Sequence, residues 1–198
     1  MCLLNRTFAL EMVYVDDHID KLDLQRALAE ISEQRRCQAL NFKYEQGQRL
    51  CVAAYLLLKR ALSEEEGITD NPLFEYGEHG KPFIVGHPEL HFSISHCHEA
   101  AVCVLSHSPV GIDVESIGRY RESVARYAMN DSELLAIKSS EHPELVFTRL
   151  WTKKESYLKM TGEGINDNMK NVLDDVPDSR FTIVERPDKN YIYTVCKQ

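Results

Sequence analysis

VGIDVES, residues 110–116, is the stretch from which the rest of this chain can be read. Successive side chains of a strand point to opposite faces, so Ile112 and Val114 share an apolar face while Asp113 and Glu115 share the other. By strand rise their Cα atoms are about 7 Å apart. The apolar face needs a partner to cover it. Two carboxylates aimed at one place suit a hard divalent cation, and Mg2+ in particular is usually held by one or two carboxylates, water and substrate phosphates. Alone, the segment would pass equally well as a strand with a solvated acidic face.

Downstream, EHPELVFTRLWTKKESYLKMTGEGI (141–165) predicts a helix from Pro143 to Thr161. Proline suits the first helical turn, and Gly162 and Gly164 end the helix. Trp151, Glu155 and Lys159 are four apart and stack on one face. Taken alone, Glu155 and Lys159 would be an ordinary surface pair worth a few tenths of a kcal/mol, flanked by Lys153 and Lys154.

Upstream, residues 20–37 place Leu24, Leu28 and Ile31 at helical spacing, and residues 46–62 carry Leu50, Ala53, Ala54, Leu57 and Ala61 on one stripe. Both predict helices. The second is apolar almost all round (CVAAYLLL), which predicts burial against a sheet. EYGEHGKPFIVGHPEL (75–90) is dense in Gly and Pro and reads as loop or hairpin. HFSIS (91–95), AAVCVLS (100–106), RFTIVER (180–186) and YIYTVC (191–196) read as strands, and SELLAIKS as a short helix opened by Asp131 or Ser132. The order of helices and strands predicts an α+β fold of two similar lobes, residues 1–105 and 106–198.

Composition narrows the function classes. Lys and Arg number 23 against 31 Asp and Glu, a net charge of -8 over 198 residues. The global positive field of a nonspecific nucleic-acid binder is missing, so no nucleic-acid partner is expected and any polyanionic ligand must meet a local basic patch. The N-terminal stretch lacks the basic flank and cleavage site of a secretory signal. No apolar run reaches the ~20 residues of a membrane helix. Six cysteines without a C-x-x-C pair read as reduced thiols, and a cytoplasmic location is expected. The tract containing His91, His96, Cys97, His98 and Cys103 could suggest zinc, but neighbours in a strand alternate faces and cannot all converge on one ion.

Four strings occur in one order: GKPF (80–83), FSISH (92–96), GIDVE (111–115) and WTKKESYLKMTGEG (151–164). Together they resemble the 4'-phosphopantetheinyl transferases of the surfactin-synthetase type, whose pattern runs G-K-P, F-N/S-I-S-H-S, G-I-D-I/V-E and W-x-x-K-E-S/A-x-x-K-x-x-G-x-G. Cys97 stands where that pattern commonly has Ser.

The resemblance implies Mg2+-dependent transfer of phosphopantetheine from coenzyme A to a serine of an apo acyl or peptidyl carrier protein. It further implies a monomeric pseudo-dimer with the active site in the cleft between the lobes. Asp113, Glu115 and Glu155 would hold Mg2+, and Glu155 would also serve as general base. Lys159 would stabilise the diphosphate, Ser95 and His96 would contact phosphates, and Lys81 and Pro82 would approach the nucleotide. Arg49 would meet the 3'-phosphate, Arg35 and Arg36 extending the same patch, and Glu133 matches a family glutamate. Two other classes stay open on the sequence: another Mg2+-dependent phosphotransferase, and a relative that binds coenzyme A or a carrier protein without turnover.

Overall fold

The structure, a computed structural model, describes residues 12–118, 120–165 and 168–198. Its first part comprises β1 (Val13–Asp16), α1 (Leu24–Glu30), α2 (Glu33–Leu40), α3 (Glu45–Glu66), β2 (Phe74–Tyr76), β3 (Pro82–Ile84), β4 (His91–His96) and β5 (Ala101–Ser106). Its second comprises β6 (Val110–Ser116), α4 (Glu122–Ala128), α5 (Asp131–Ser139), α6 (Pro143–Thr161), β7 (Phe181–Arg186) and β8 (Tyr191–Lys197). Two antiparallel three-stranded sheets result, in the orders β1-β5-β4 and β6-β8-β7, with β2 and β3 as a separate hairpin. The α+β reading of the sequence agrees with this arrangement.

The apolar run of β5 explains how the sheets stack. Ala101, Cys103 and Leu105 face α3, where Leu50, Ala54, Leu58 and Leu62 cover them. Val102 and Val104 point the other way and meet Val110, Ile112, Val114 and Val195 of the second sheet. A strand buried on both faces has no polar side to show, so residues 101–105 are all apolar. Ile112 and Val114 thus find their cover on the first sheet.

On the opposite face of β6, Gly111 decides how α6 can approach. A Cβ there would fall into the Ser156 carbonyl oxygen and the Met160 amide, so helix and strand meet backbone to backbone. Residues 111, 113 and 115 share that face, and the close approach therefore brings Asp113 and Glu115 under α6. From behind, the helix packs its own Phe147 and Leu158 against Ala125, Met129, Ile137 and Met169. Its N-terminus has Pro143 in the first turn, and Gly162 terminates it in the left-handed conformation (φ 81°).

Four features depart from the sequence reading. The helix expected over 20–37 is two helices, because Ile31 is extended (φ -100°, ψ 165°) and Ser32 caps α2, its hydroxyl accepting the Arg35 amide at 3.2 Å. Leu24, Leu28 and Ile31 still pack together against α3, which is why their spacing mimics one continuous helix. Strand β1 and helix α4 carry too few periodic residues to announce themselves. The cap of α5 is Asn130, one residue earlier than expected, in a capping box with Glu133. Among the described residues no helix is long and apolar enough to cross a membrane.

Candidate active site

Strands β4 and β6 are edge strands of different sheets that run side by side, and serine hydroxyls sew them together. Ser93 Oγ accepts the Ile112 amide at 3.0 Å and lies 3.5 Å from the Ile112 carbonyl. Two residues on, Ser95 Oγ donates to Asp113 Oδ1 at 2.9 Å. These side chains satisfy polar groups that an unpaired edge would otherwise leave open. The alternation of the FSIS segment, with both serines on one face, is what makes the stitching possible.

Helix α6 completes the site from above. Lys159 Nζ donates to Asp113 Oδ1 at 2.6 Å and to Ser95 Oγ at 2.9 Å, so three elements meet at one point. One turn earlier, Glu155 reaches the same place. Burial, then the negative charges of Asp113 and Glu115, push its carboxyl up to about 7, while the Lys159 ammonium offsets part of the rise. Asp113 Oδ2 and Glu155 Oε1 are buried without a hydrogen-bond partner.

A cleft of about 460 Å³ opens over this cluster, walled by Arg35, Ser95, His96, Asp113, Glu115, Trp151, Glu155 and Lys159. Burial, then the charges of Arg35 and Lys159, push His96 down to about 4. Its imidazole is therefore neutral at pH 7 in the ligand-free chain. Beyond Glu155 and Lys159 the cleft continues into a cavity of about 250 Å³ lined by Lys81 and Pro82. Lys81 lies along Gly162 and donates to the Met160 carbonyl at 2.6 Å, and burial lowers its pKa. On the other side, past Glu115 and Trp151, a third cavity is floored by Tyr120, Phe147 and Trp151, with Phe147 stacked on Trp151 at 5.9 Å.

The structure thus brings Asp113, Glu115, Glu155, Lys159, Ser95, His96, Lys81 and Pro82 to one connected cleft. Arg49 is not among its wall residues. It pairs with Glu45 at 2.6 Å and donates to the Leu22 carbonyl. Arg35 lines the cleft instead, its guanidinium steadied by the Cys51 carbonyl at 2.9 Å, Gln38 at 3.1 Å and the Tyr55 ring. Nothing in the local sequence distinguishes Arg35 from Arg36; the Ser32 cap sets which of them turns inward.

Two further expectations change. Lys154, read as flanking an ordinary surface pair, is completely buried: its ammonium pairs with Glu133 at 2.8 Å and donates to the Met169 and Lys170 carbonyls. Glu133 also accepts the Asn130 amide, so this pair ties α5 and the 168–170 segment to α6 rather than facing the cleft. Lys153 is taken up by Asp178 and the Phe181 ring.

Among the described residues, no three His, Cys, Asp or Glu side chains form a ready-made metal cage. The donor set around Asp113, Glu115 and Glu155 is all carboxylate oxygen, and two of those oxygens are buried without partners. Such a set fits Mg2+, which takes much of its shell from water and substrate phosphates.

A sequence profile of the 4'-phosphopantetheinyl transferase superfamily matches residues 109–197. Over 191 residues the chain is 30% identical to the 4'-phosphopantetheinyl transferase gsp of Aneurinibacillus migulanus, covering 94% of this chain and 74% of that protein. A 4'-phosphopantetheinyl transferase of Bacillus subtilis is 26% identical over 180 residues, 89% of this chain and 80% of its own length. The 4'-phosphopantetheinyl transferase Sfp of the same species is 26% identical over 157 residues, 78% and 70% of the two chains.

Proposed function

This chain belongs to the 4'-phosphopantetheinyl transferase superfamily, and from that premise we propose that it transfers 4'-phosphopantetheine from coenzyme A to a serine hydroxyl of an apo acyl or peptidyl carrier protein, releasing 3',5'-adenosine bisphosphate. The observation that carries the reading is the meeting of Ser95, Asp113 and Lys159 within 2.9 Å of one another, with Glu155 beside them.

The diphosphate of coenzyme A binds across the cleft, where Lys159, Arg35, Ser95 and neutral His96 offer donors. The nucleotide end extends toward Lys81 and Pro82. Asp113, Glu115 and Glu155 would hold Mg2+, which supplies charge neutralisation on the diphosphate when bound. The carrier serine oxygen attacks the phosphorus that bears the pantetheine, and the bond from that phosphorus to the bridging oxygen breaks. Glu155 takes the serine proton directly or through a water. Lys159 offsets charge on the departing bisphosphate. Positioning and electrostatics carry the chemistry, with no covalent enzyme intermediate.

The two sheets, each with its own helices, support the reading of a monomeric pseudo-dimer whose halves, residues 1–105 and 106–198, share one cleft. A cytoplasmic setting follows from the substrate. Intact-mass analysis of candidate apo carriers, incubated with the chain, coenzyme A and Mg2+, tests the proposal. A gain of one phosphopantetheine on a carrier serine is expected. Coenzyme A binding without transfer to any carrier would favour a binding protein instead.

A further inference from the structure

Glu99 takes no part in the chemistry above, yet two segments distant in sequence converge on it. It follows His96 by three residues, in the turn between β4 and β5, and its side chain is only 20% exposed. The Ser116 hydroxyl donates to Glu99 Oε2 in a short hydrogen bond, and the Cys97 thiol approaches the same oxygen at 3.5 Å. The Asn190 amide donates to Glu99 Oε1 at 3.0 Å. Asn190 stands in the left-handed conformation (φ 62°), and its carbonyl accepts the Ile117 amide at 2.9 Å. Burial alone would raise the Glu99 carboxyl. The hydrogen bonds from Ser116, Asn190 and Cys97 outweigh it and hold the group below the usual range, so an anion is held by donors from three residues, two of them buried.

Ser116 follows Glu115 directly, at the end of β6. Because β4 and β6 belong to different sheets, side-chain links set their spacing: Ser93 to Ile112, Ser95 to Asp113, and Glu99 to Ser116. The third link alone lies beyond His96 and Glu115. We propose that Glu99 is a positioning residue, fastening the turn that carries His96 to the strand end that carries Glu115 and so setting the width of the cleft where phosphate and cation meet. The inference rests on the transferase reading above.

The test compares the full-length chain with Glu99→Ala, Glu99→Gln, Ser116→Ala and the Glu99→Ala/Ser116→Ala double variant. Four quantities are read: kcat and KM for transfer, coenzyme A affinity by calorimetry without carrier, melting temperature, and hydrogen exchange over residues 110–118. Glu99→Ala should lower kcat on the order of tenfold to a hundredfold, the effect of a slightly misplaced site. It should also weaken coenzyme A binding, speed exchange in 110–118 and leave KM for the carrier unchanged. Ser116→Ala should share the defect, with the double variant no worse than Glu99→Ala alone. Glu99→Gln should recover most activity, since glutamine still accepts from Ser116 and the Asn190 amide can turn over to accept in its place.

A fall in melting temperature with wild-type kcat and coenzyme A affinity would overturn the proposal, as would additive defects. If the wild-type chain transfers to no carrier yet binds coenzyme A, the transferase reading fails, while affinity and exchange still decide the role of Glu99. A chain that does neither overturns both.

Discussion

Lys159 Nζ lies 2.6 Å from Asp113 Oδ1, a link between α6 and β6 in the cleft, and the same ammonium lies 2.9 Å from Ser95 Oγ. An ammonium placed there neutralises a carboxylate that the proposed reaction assigns to a cation. On that assignment lysine and cation would compete for Asp113 until a diphosphate drew Lys159 away. In Lys159→Met, the substrate-free chain should bind Mn2+ more tightly than wild type in a paramagnetic-resonance titration. Transfer should nevertheless fall roughly tenfold to a hundredfold in kcat/KM, the worth of a charge-assisted hydrogen bond to the diphosphate. Weaker or unchanged Mn2+ binding would refute the competition.

Glu155 makes the metal-free chain sensitive to pH. Its folded pKa, about 7, stands above the ordinary carboxyl value of 4.5. The folded state therefore holds the proton more tightly than the unfolded one, and that contribution to stability is full below 4.5 and lost as pH rises through 7. The melting temperature without metal should decline across this window, and Glu155→Gln should flatten the decline. Mg2+ should stabilise wild type more at pH 8 than at pH 5.5, because it binds the ionised form. A profile indifferent to the Gln substitution would remove Glu155 as the source.

The two arginines of the N-terminal half should separate cleanly. Arg35 lines the cleft, whereas Arg49 is engaged with Glu45 and Leu22. Arg35→Gln should raise the coenzyme A KM by on the order of tenfold, as expected for a lost charged hydrogen bond. Arg49→Gln should leave that KM within about twofold and act on melting temperature alone, its Glu45 pair being a surface i,i+4 contact of small worth. Steady-state kinetics against coenzyme A decides it, and the reverse ranking would return the 3'-phosphate to Arg49.

Gly111 should tolerate no side chain. Gly111→Ala must push α6 off β6, since the added methyl meets the Ser156 carbonyl and the Met160 amide, both backbone. A loss of about 1–3 kcal/mol or more is expected for such overpacking, measured by urea unfolding. Transfer should drop with it, because Glu155 and Lys159 ride on the displaced helix. Wild-type stability would mean that the helix has room to shift.

Much of the site is legible in the sequence. The alternation of VGIDVES and the i,i+4 stripe of Trp151, Glu155 and Lys159 depend only on local geometry, and both hold in the fold. What a stripe cannot say is which neighbouring residue of the same kind turns the other way. Lys153, Lys154 and Lys159 look alike on a helix, yet one pairs with an exposed aspartate, one is wholly buried and one enters the cleft. Arg35 and Arg49 differ for the same reason.

Local periodicity therefore determined most of the elements, the apolar faces and the carboxylate pair, because strand alternation and helical pitch act over a few residues. Tertiary structure alone decided that Ser93, Ser95 and Glu99 fasten the first sheet to β6, and that α6 settles on Gly111. Those contacts join residues far apart in sequence. Their formation depends on how two sheets pack, a property of the whole set of buried surfaces that no single segment encodes.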